Sequence, residues 1–469
     1  MTTRFGPLVT ILSLTAFAVD ARCGEANADP ATGPLRVLKE NPRYFTDGSG
    51  KAIYLTGAHT WANLQDMGFT DPPPAFDYGA HLDFLTKYHH NFIRLWRWEL
   101  SRWTEGRDQR VRYCAPHPWK RTGPGKALDG KPQFDLNQLD PDYFDRLRAR
   151  AVAARERGIY VSVMLFEGWG LSFASWDGHP FNVRNNVQGV NGDPDGNGKG
   201  TEAQALVVPE VTRIQEAYVR KAIDTVNDLD NVLFEIANES LFDFSKDWQY
   251  HMIHYVKDYE RGKTKQHPVG MTGYWGSDNR VLSNGPADWI SPGTTGPTSK
   301  ESAYEDNPPG ADGKKVVVLN TDHIFGVGGG RDWAWKSFLR GYNPIWMDPY
   351  ETPSVWEPVP GFAAEVRRSL GETRRFAERM DLAAMTPHDD LASSRYCLAD
   401  PAREYLVYLP EGGRVTVDLS NAAGTFAAEW FHPGTGETKG AGPVRGGSSA
   451  ALDPPFREGD AVLYLKRTR

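Results

Sequence analysis

Between residues 53 and 385 the chain alternates short β-branched or apolar runs with amphipathic stretches, and no other feature constrains its fold as tightly. The runs are Ile53–Gly57, Phe92–Trp96, Tyr160–Phe166, Val232–Ile236, Val269–Thr272, Trp289–Ser291, Val316–Leu319 and Pro344–Met347. Helical stretches are predicted over Tyr78–Tyr88, Asp140–Gly158, Val208–Leu229, Trp248–Tyr259, Asp332–Leu339 and Phe362–Met380. In Asp140–Gly158, for example, Tyr143, Leu147, Ala151 and Ala154 recur at helical spacing and Gly158 supplies the stop. A strand followed by a helix and another strand builds parallel sheet, and eight such units close a (β/α)8 barrel. The expected fold class is therefore α/β, a TIM-type barrel.

Past Met380 the pattern changes to short alternating strands, Glu404–Leu409, Arg414–Asp418, Thr425–His432 and Ala461–Lys466, between Gly-rich turns. These predict a small C-terminal antiparallel β-sandwich over residues 390–469, after a barrel domain spanning 35–385. Leu35–Lys51 predicts a hairpin that turns at Asp47-Gly48 and caps one barrel end. Two long loops are expected, Glu99–Leu136 after the second strand and Gly168–Ala203 after the third, with a further loop over Gly293–Gly313. Long loops on the C-terminal side of a barrel are where substrate is shaped.

The N-terminus carries Arg4 and an apolar run from Leu8 to Val19, too short to span a bilayer. It predicts a signal peptide over residues 1–28 and a secreted or periplasmic protein with no membrane anchor. Only Cys114 and Cys397 then remain beyond Cys23, a pair that an oxidising compartment permits but does not require to join. The 53 basic and 60 acidic side chains leave a net charge of −7, no footprint for nucleic acid or an anionic membrane. Fifteen Trp are more than a core absorbs. Exposed in a cleft, their flat faces suit sugar rings, apolar on the face and hydrogen-bonding at the rim.

Active-site groups of such a barrel come from the C-terminal ends of its strands, and polar and aromatic residues gather there. His59 and Trp61 follow the first strand; Arg94, Trp96 and Trp98 line the second; Glu167 and Trp169 follow the third; Asn238-Glu239 ends the fourth. Tyr274 and Trp275 follow the fifth, Asp322 and His323 the seventh, and Trp346 and Asp348 lie on or after the eighth. Cleaving a glycosidic bond needs an acid for the leaving oxygen and a second carboxylate as nucleophile or base. Glu239 is the candidate acid, at the end of Val-Leu-Phe-Glu-Ile-Ala-Asn. Asp322 is the candidate partner, because the fourth and seventh strands face each other across an eight-stranded barrel. The other residues named here are substrate-binding candidates, and no cofactor is called for.

Asn41-Pro-Arg-Tyr-Phe-Thr-Asp-Gly, Ile53-Tyr-Leu-Thr-Gly-Ala-His-Thr-Trp, Asn91-Phe-Ile-Arg-Leu and Phe234-Glu-Ile-Ala-Asn-Glu are four telling segments. Together they resemble the retaining glycosidases of clan A, and within them the apiosidase-like hydrolases with a C-terminal β-domain of collagen-binding type. The resemblance implies that Glu239 is the acid/base, that Asn238 holds a sugar hydroxyl, and that Arg94 supports the nucleophile. It departs at the seventh strand, where the clan carries Glu and this chain has Asp322. A side chain one methylene shorter leaves both retention and inversion open. The resemblance gives no reason to expect collagen as a ligand, and the tail is expected to be a stabilising module.

Other readings compete with these. Glu239 could cap a helix, and Asp322 could be a structural partner of Arg94, with Glu351, Asp348 or Glu167 in its place. Asp193-Pro-Asp-Gly-Asn-Gly matches the first half of a calcium loop, but its twelfth position is Gln204, so an Asx/Gly turn is the expectation and no metal is assigned. Gly326-Val-Gly-Gly-Gly-Arg lacks the Lys-Ser/Thr of a phosphate loop and is expected to be a cleft loop. A sugar-binding barrel without catalysis would need the aromatics but not two converging carboxylates. A metal-dependent amidohydrolase would need clustered His ligands, where Gly57-Ala58-His59-Thr60 offers one.

Overall fold

The computed structural model describes residues 31–105, 108–294, 303–324, 326–350 and 362–468. Residues 1–28, expected from the sequence to be a signal peptide, and Glu351 lie outside them. Eight parallel strands form the barrel: β1 Gly57–His59, β2 Phe92–Leu95, β3 Tyr160–Glu167, β4 Val232–Asn238, β5 Val269–Thr272, β6 Trp289–Ser291, β7 Val316–Asn320 and β8 Asn343–Met347. Each pairs in parallel with its successor from β2 to β8, and β8 pairs with β1. Every residue of β3 and β4 is buried, as expected of parallel strands covered on both faces.

The seam between β1 and β2 is built differently. The Asn91 side chain donates to Tyr54 O and accepts from Thr56 N–H, both at 2.9 Å. Further up, Asn63 bonds to Arg94 O and accepts from Trp96 N–H, and Gln65 bonds to Trp98 O and accepts from Trp98 N–H. Three carboxamide side chains, beside the backbone bond from Asn91 N–H to Thr56 O at 3.0 Å, thus stand in for a regular ladder, and the first strand lies later than the predicted Ile53–Gly57. Ile53 instead bridges Phe45 across the Asp47-Gly48 turn, while Arg36–Val37 pairs with Phe45–Thr46 through a connection over residues 38–44. The N-terminal segment therefore turns twice. Its Leu35 and Phe45 plug the N-terminal mouth against Phe92, Leu233, Trp289 and Val316.

The segment predicted as a loop after β2 is mostly strand. Arg102–Glu105 and Asp66–Gly68 flank Asp108–Ala115 in a three-stranded sheet, and Trp119–Lys126 pairs with Pro132–Leu139. Alternating charge in Asp-Gln-Arg-Val-Arg-Tyr hid its apolar side. The connection after β3 carries a short helix, Trp169–Phe173. Of the helices, Phe242–Arg261 starts two turns before the predicted Trp248, since Phe242 and Ser245 also face inward.

The C-terminal unit has a seven-stranded antiparallel sheet and a two-stranded sheet, Val415–Val417 with Ala450–Leu452. Alternation along Glu404–Leu409 explains its place. Leu406 and Tyr408 pack on Trp335, Phe338 and Phe376 of the barrel helices, whereas Tyr405, Val407 and Leu409 face Val415 and Val417 of the small sheet. Each large apolar side chain buried in that contact contributes about 1.5–3 kcal/mol. Arg331 adds an ion pair across it to Asp460 at 3.1 Å. Cys114 and Cys397 are buried and unpaired with each other. Among the described residues no helix is long and apolar enough to cross a membrane.

Candidate active site

A cleft of about 350 Å3 opens at the C-terminal ends of the strands, with Glu239 and Asp322 both on its lining. Arg94 on β2 organises its floor. The guanidinium donates from Nε to Glu235 at 2.8 Å and from Nη2 to the other oxygen of the same carboxylate. Nη2 also reaches Asn238 Oδ1 at 2.7 Å, and Nη1 donates to Asp322 Oδ2 at 3.1 Å. A planar fork with five donors can serve three acceptors in this way where a lysine could not.

Burial raises the Asp322 carboxyl to about 6, against the pull of Arg94 in the opposite direction. Glu239 is raised well above the ordinary range by burial first, then by the negative charges of Asp322 and Glu167. Two carboxyl groups in one cleft are thereby separated, Asp322 ionising first beside its cation and Glu239 keeping its proton. Glu239 also sits at φ +46°, a left-handed conformation that a non-glycine residue rarely adopts, just beyond the end of β4.

Neutral histidines lock the second row. His323 is fully buried and held well below its ordinary pKa by burial and by Arg94. Its Nδ1 therefore accepts from Ser291 Oγ at 3.0 Å, and its Nε2–H donates to Asn238 Oδ1 at 3.1 Å. His59, likewise buried and neutral, donates from Nε2 to Asn320 Oδ1 at 3.0 Å, the same oxygen that accepts the Asp322 backbone N–H. It also stacks on Trp96 at 5.5 Å. Both histidines thus act on the cleft through other residues instead of lining it.

Trp61, Trp96, Trp98, Trp169 and Trp275 line the cleft. Trp96 is buried and its indole N–H has no partner among the described residues. The remaining sequence candidates point elsewhere. Trp346 is buried and donates to Gly328 O at 2.8 Å, bracing the glycine-rich loop whose Gly326 and Val327 do reach the cleft. Asp348 is paired bidentately with Arg367. Tyr274 packs edge-on against Phe242 at 5.2 Å. Glu167 accepts the Trp169 and Gly170 N–H groups at 2.6 and 2.9 Å, anchoring the helix that carries Trp169. Its carboxyl is pushed up to about 8, chiefly by burial. Between Glu167 and Trp169, a Cβ on Gly168 would come within 2.3 Å of Ser240 Cα, so only glycine lets β3 close against the residue after Glu239.

Comparison with known proteins bears on the fold. The chain superposes on a structure described as a glycoside hydrolase with a TM-score of 0.62, at 14% identity over 93% of this chain and 97% of the other. A glycoside hydrolase family 5 protein from Bacteroides vulgatus gives 0.61, at 13% identity over 94% and 95%. A second Bacteroides vulgatus structure, described as a putative glycoside hydrolase, gives 0.59, at 14% identity over 95% and 83%. The chain shares the glycoside hydrolase barrel fold. Residues 385–466 match the family model "Putative collagen-binding domain of a collagenase". No match was found among curated proteins.

Several site residues were not among the sequence candidates. Glu235 had a signal that could have found it, because a charge inside Val-Leu-Phe-Glu-Ile-Ala-Asn must find a buried partner. Trp103, Arg112, Phe173 and Met347 line the cleft from the β2 insertion, the short helix and β8, and nothing in their local sequence marks them. In the acidic loop the ligand atoms of Asp193, Asp195 and Glu202 lie within 4.8 Å of one another. Gln204, at the twelfth position, is buried instead and accepts from Ser240 Oγ at 2.6 Å.

Proposed function

We propose that the protein is a retaining glycoside hydrolase, exported from the cytoplasm, that cleaves a plant or microbial poly- or oligosaccharide with Asp322 as nucleophile and Glu239 as acid/base. The observation that carries this reading is the Arg94-bound Asp322 sharing a cleft with a Glu239 that burial keeps protonated. Asp322 attacks the anomeric carbon as Glu239 passes its proton to the departing oxygen. Glu239, now ionised, takes a proton from water, whose hydroxide opens the glycosyl ester and restores both carboxyls. Fixing Asp322 through Arg94 shortens the entropic part of that attack. The aromatic lining supports a carbohydrate substrate. The placement of the chain in the apiosidase-like branch rests on its four sequence segments.

The test is sugar release from aryl glycosides and a panel of plant polysaccharides by wild type, Glu239→Gln and Asp322→Asn. Loss by orders of magnitude in both variants is expected, with azide rescuing Asp322→Asn as a glycosyl azide of inverted configuration. An active Asp322→Asn variant overturns the nucleophile assignment. A wild type inert across the panel leaves a sugar-binding barrel as the better account.

A further inference from the structure

We infer that Gln204 is a positioning residue for the general acid: through the hydroxyl of Ser240 it holds the left-handed backbone that presents the Glu239 carboxyl to the cleft. This rests on the glycosidase reading above and adds to it the means by which the acid is aimed.

Among the described residues nothing hydrogen-bonds to the Glu239 carboxyl, so the backbone that carries it sets its direction. That backbone stands at φ +46°, a conformation that a non-glycine residue keeps only where its surroundings enforce it. The residues on either side are both held. The carbonyl of Asn238 accepts the Gly168 N–H at 2.7 Å. Ser240, fully buried, donates from Oγ to Gln204 Oε1 at 2.6 Å, and its carbonyl accepts from Gln249 Nε2 at 3.3 Å. The end of β3 presses on the same residue, since Ser240 Cα is what a Cβ on Gly168 would meet. The bond to Gln204 is the shorter of the two that side chains make to Ser240.

Gln204 is itself fixed. It is 1% exposed and ends the single helical turn Thr201–Gln204 in the connection after β3. Its Nε2 donates to Glu99 Oε1 and to Glu167 O, both at 3.2 Å. The Glu99 carboxylate pairs with Arg97 at 3.7 Å, bonds to His179 at 3.2 Å and accepts the Glu167 N–H at 3.0 Å. Burial alone would raise that carboxyl, but Arg97 and His179 draw it below its ordinary value, so it is ionised and can only accept. Nε2 of Gln204 must therefore face Glu99, which turns Oε1 to Ser240 and makes the hydroxyl the donor. The turn is anchored from behind, where Gln215 donates to Ala203 O at 2.8 Å and accepts from Trp248 Nε1 at 2.9 Å. Losing the Gln204 bond releases Ser240 while Asn238 stays pinned by Arg94 and His323. The backbone between them can then relax toward negative φ, and the carboxyl swings away from the leaving oxygen. A shift of about 1 Å is enough to cost a reacting group about a hundredfold in rate.

The experiment compares kcat/KM of wild type, Ser240→Ala, Gln204→Leu and Glu239→Gln on aryl and alkyl glycosides of one sugar whose leaving groups differ in basicity. A dinitrophenolate departs without a proton, whereas an unsubstituted phenol or an alkyl alcohol needs the general acid. Ser240→Ala deletes one hydroxyl, and Gln204→Leu removes the amide while keeping most of its bulk. Both are expected to lose about ten- to a hundredfold on the phenyl and alkyl glycosides yet stay within about twofold of wild type on the dinitrophenyl glycoside, a weaker form of the Glu239→Gln pattern. Equal losses on every substrate, as a general loosening of the fold would give, overturn the inference, and so does undiminished activity on the phenyl glycoside. If Gln204→Leu does not fold, Ser240→Ala decides alone. Equal losses on every leaving group in Glu239→Gln overturn the acid assignment and the inference with it. A wild type that cleaves none of the glycosides removes the glycosidase reading itself.

Discussion

Nη1 of Arg94 donates to Oδ2 of Asp322 at 3.1 Å, and the rest of that guanidinium is held by Glu235 and Asn238. One cation from β2 therefore fixes groups from β4 and β7, and the charge state of the cleft depends on it.

Catalytic rate should follow a bell-shaped pH profile. The proposed mechanism needs Asp322 ionised and Glu239 protonated, so kcat/KM is expected to rise as pH passes about 6 and to fall at higher pH as Glu239 loses its proton. In Arg94→Lys the acid limb moves to higher pH, because a point charge cannot keep all three partners and the carboxylate of Asp322 loses support. Initial rates on an aryl glycoside across pH 4–10 would reveal both; an unmoved acid limb would argue against Arg94 as the group that holds Asp322 ionised.

Removing the Arg94 cation altogether is a stability experiment as well. Arg94→Met leaves Glu235 buried without its counterion and should cost about 3–5 kcal/mol, read as a lower midpoint in urea. Arg94→Met combined with Glu235→Leu should recover much of that loss without recovering activity.

Glu239→Gln should abolish turnover yet melt at or above the wild-type temperature. A carboxyl whose pKa is raised on folding binds its proton more tightly in the native state, so stability falls as pH rises from the ordinary carboxyl range through the folded value. The variant has no such proton to lose. Its advantage over wild type should be absent near pH 4 and grow toward pH 8, followed by calorimetry.

Ending the chain at residue 385 bares Trp335, Phe338 and Phe376, which the C-terminal sheet covers. The shortened protein is expected to bind a hydrophobic dye and to aggregate on expression, whereas Tyr396→Ala at the sheet's margin should change neither.

The barrel, and the place of Glu239 and Asp322 on one cleft at its strand ends, were legible in the sequence because each rests on a short-range signal. Buried parallel strands are apolar throughout, as in Val232–Asn238, and chemistry sits at their ends. What it could not convey was side-chain direction. His323, Trp346 and Asp348 occupy strand ends as the pattern requires, yet each is committed to Asn238, Gly328 or Arg367. The start of β1 was misplaced because Tyr54 and Thr56 are matched to side-chain amides from distant segments, which no local pattern encodes. Trp103 and Arg112 reach the cleft only because the β2 insertion folds back over the barrel mouth.

The carboxamide seam between β1 and β2 has a consequence for amide exchange. Along β3 and β4 an N–H is released to solvent only when strands part, a cooperative event. The N–H groups of Thr56, Trp96 and Trp98 end instead on Asn91, Asn63 and Gln65, whose side chains can rotate one at a time. Deuterium should therefore enter these three positions through small local openings, well before it enters the ladders beside them.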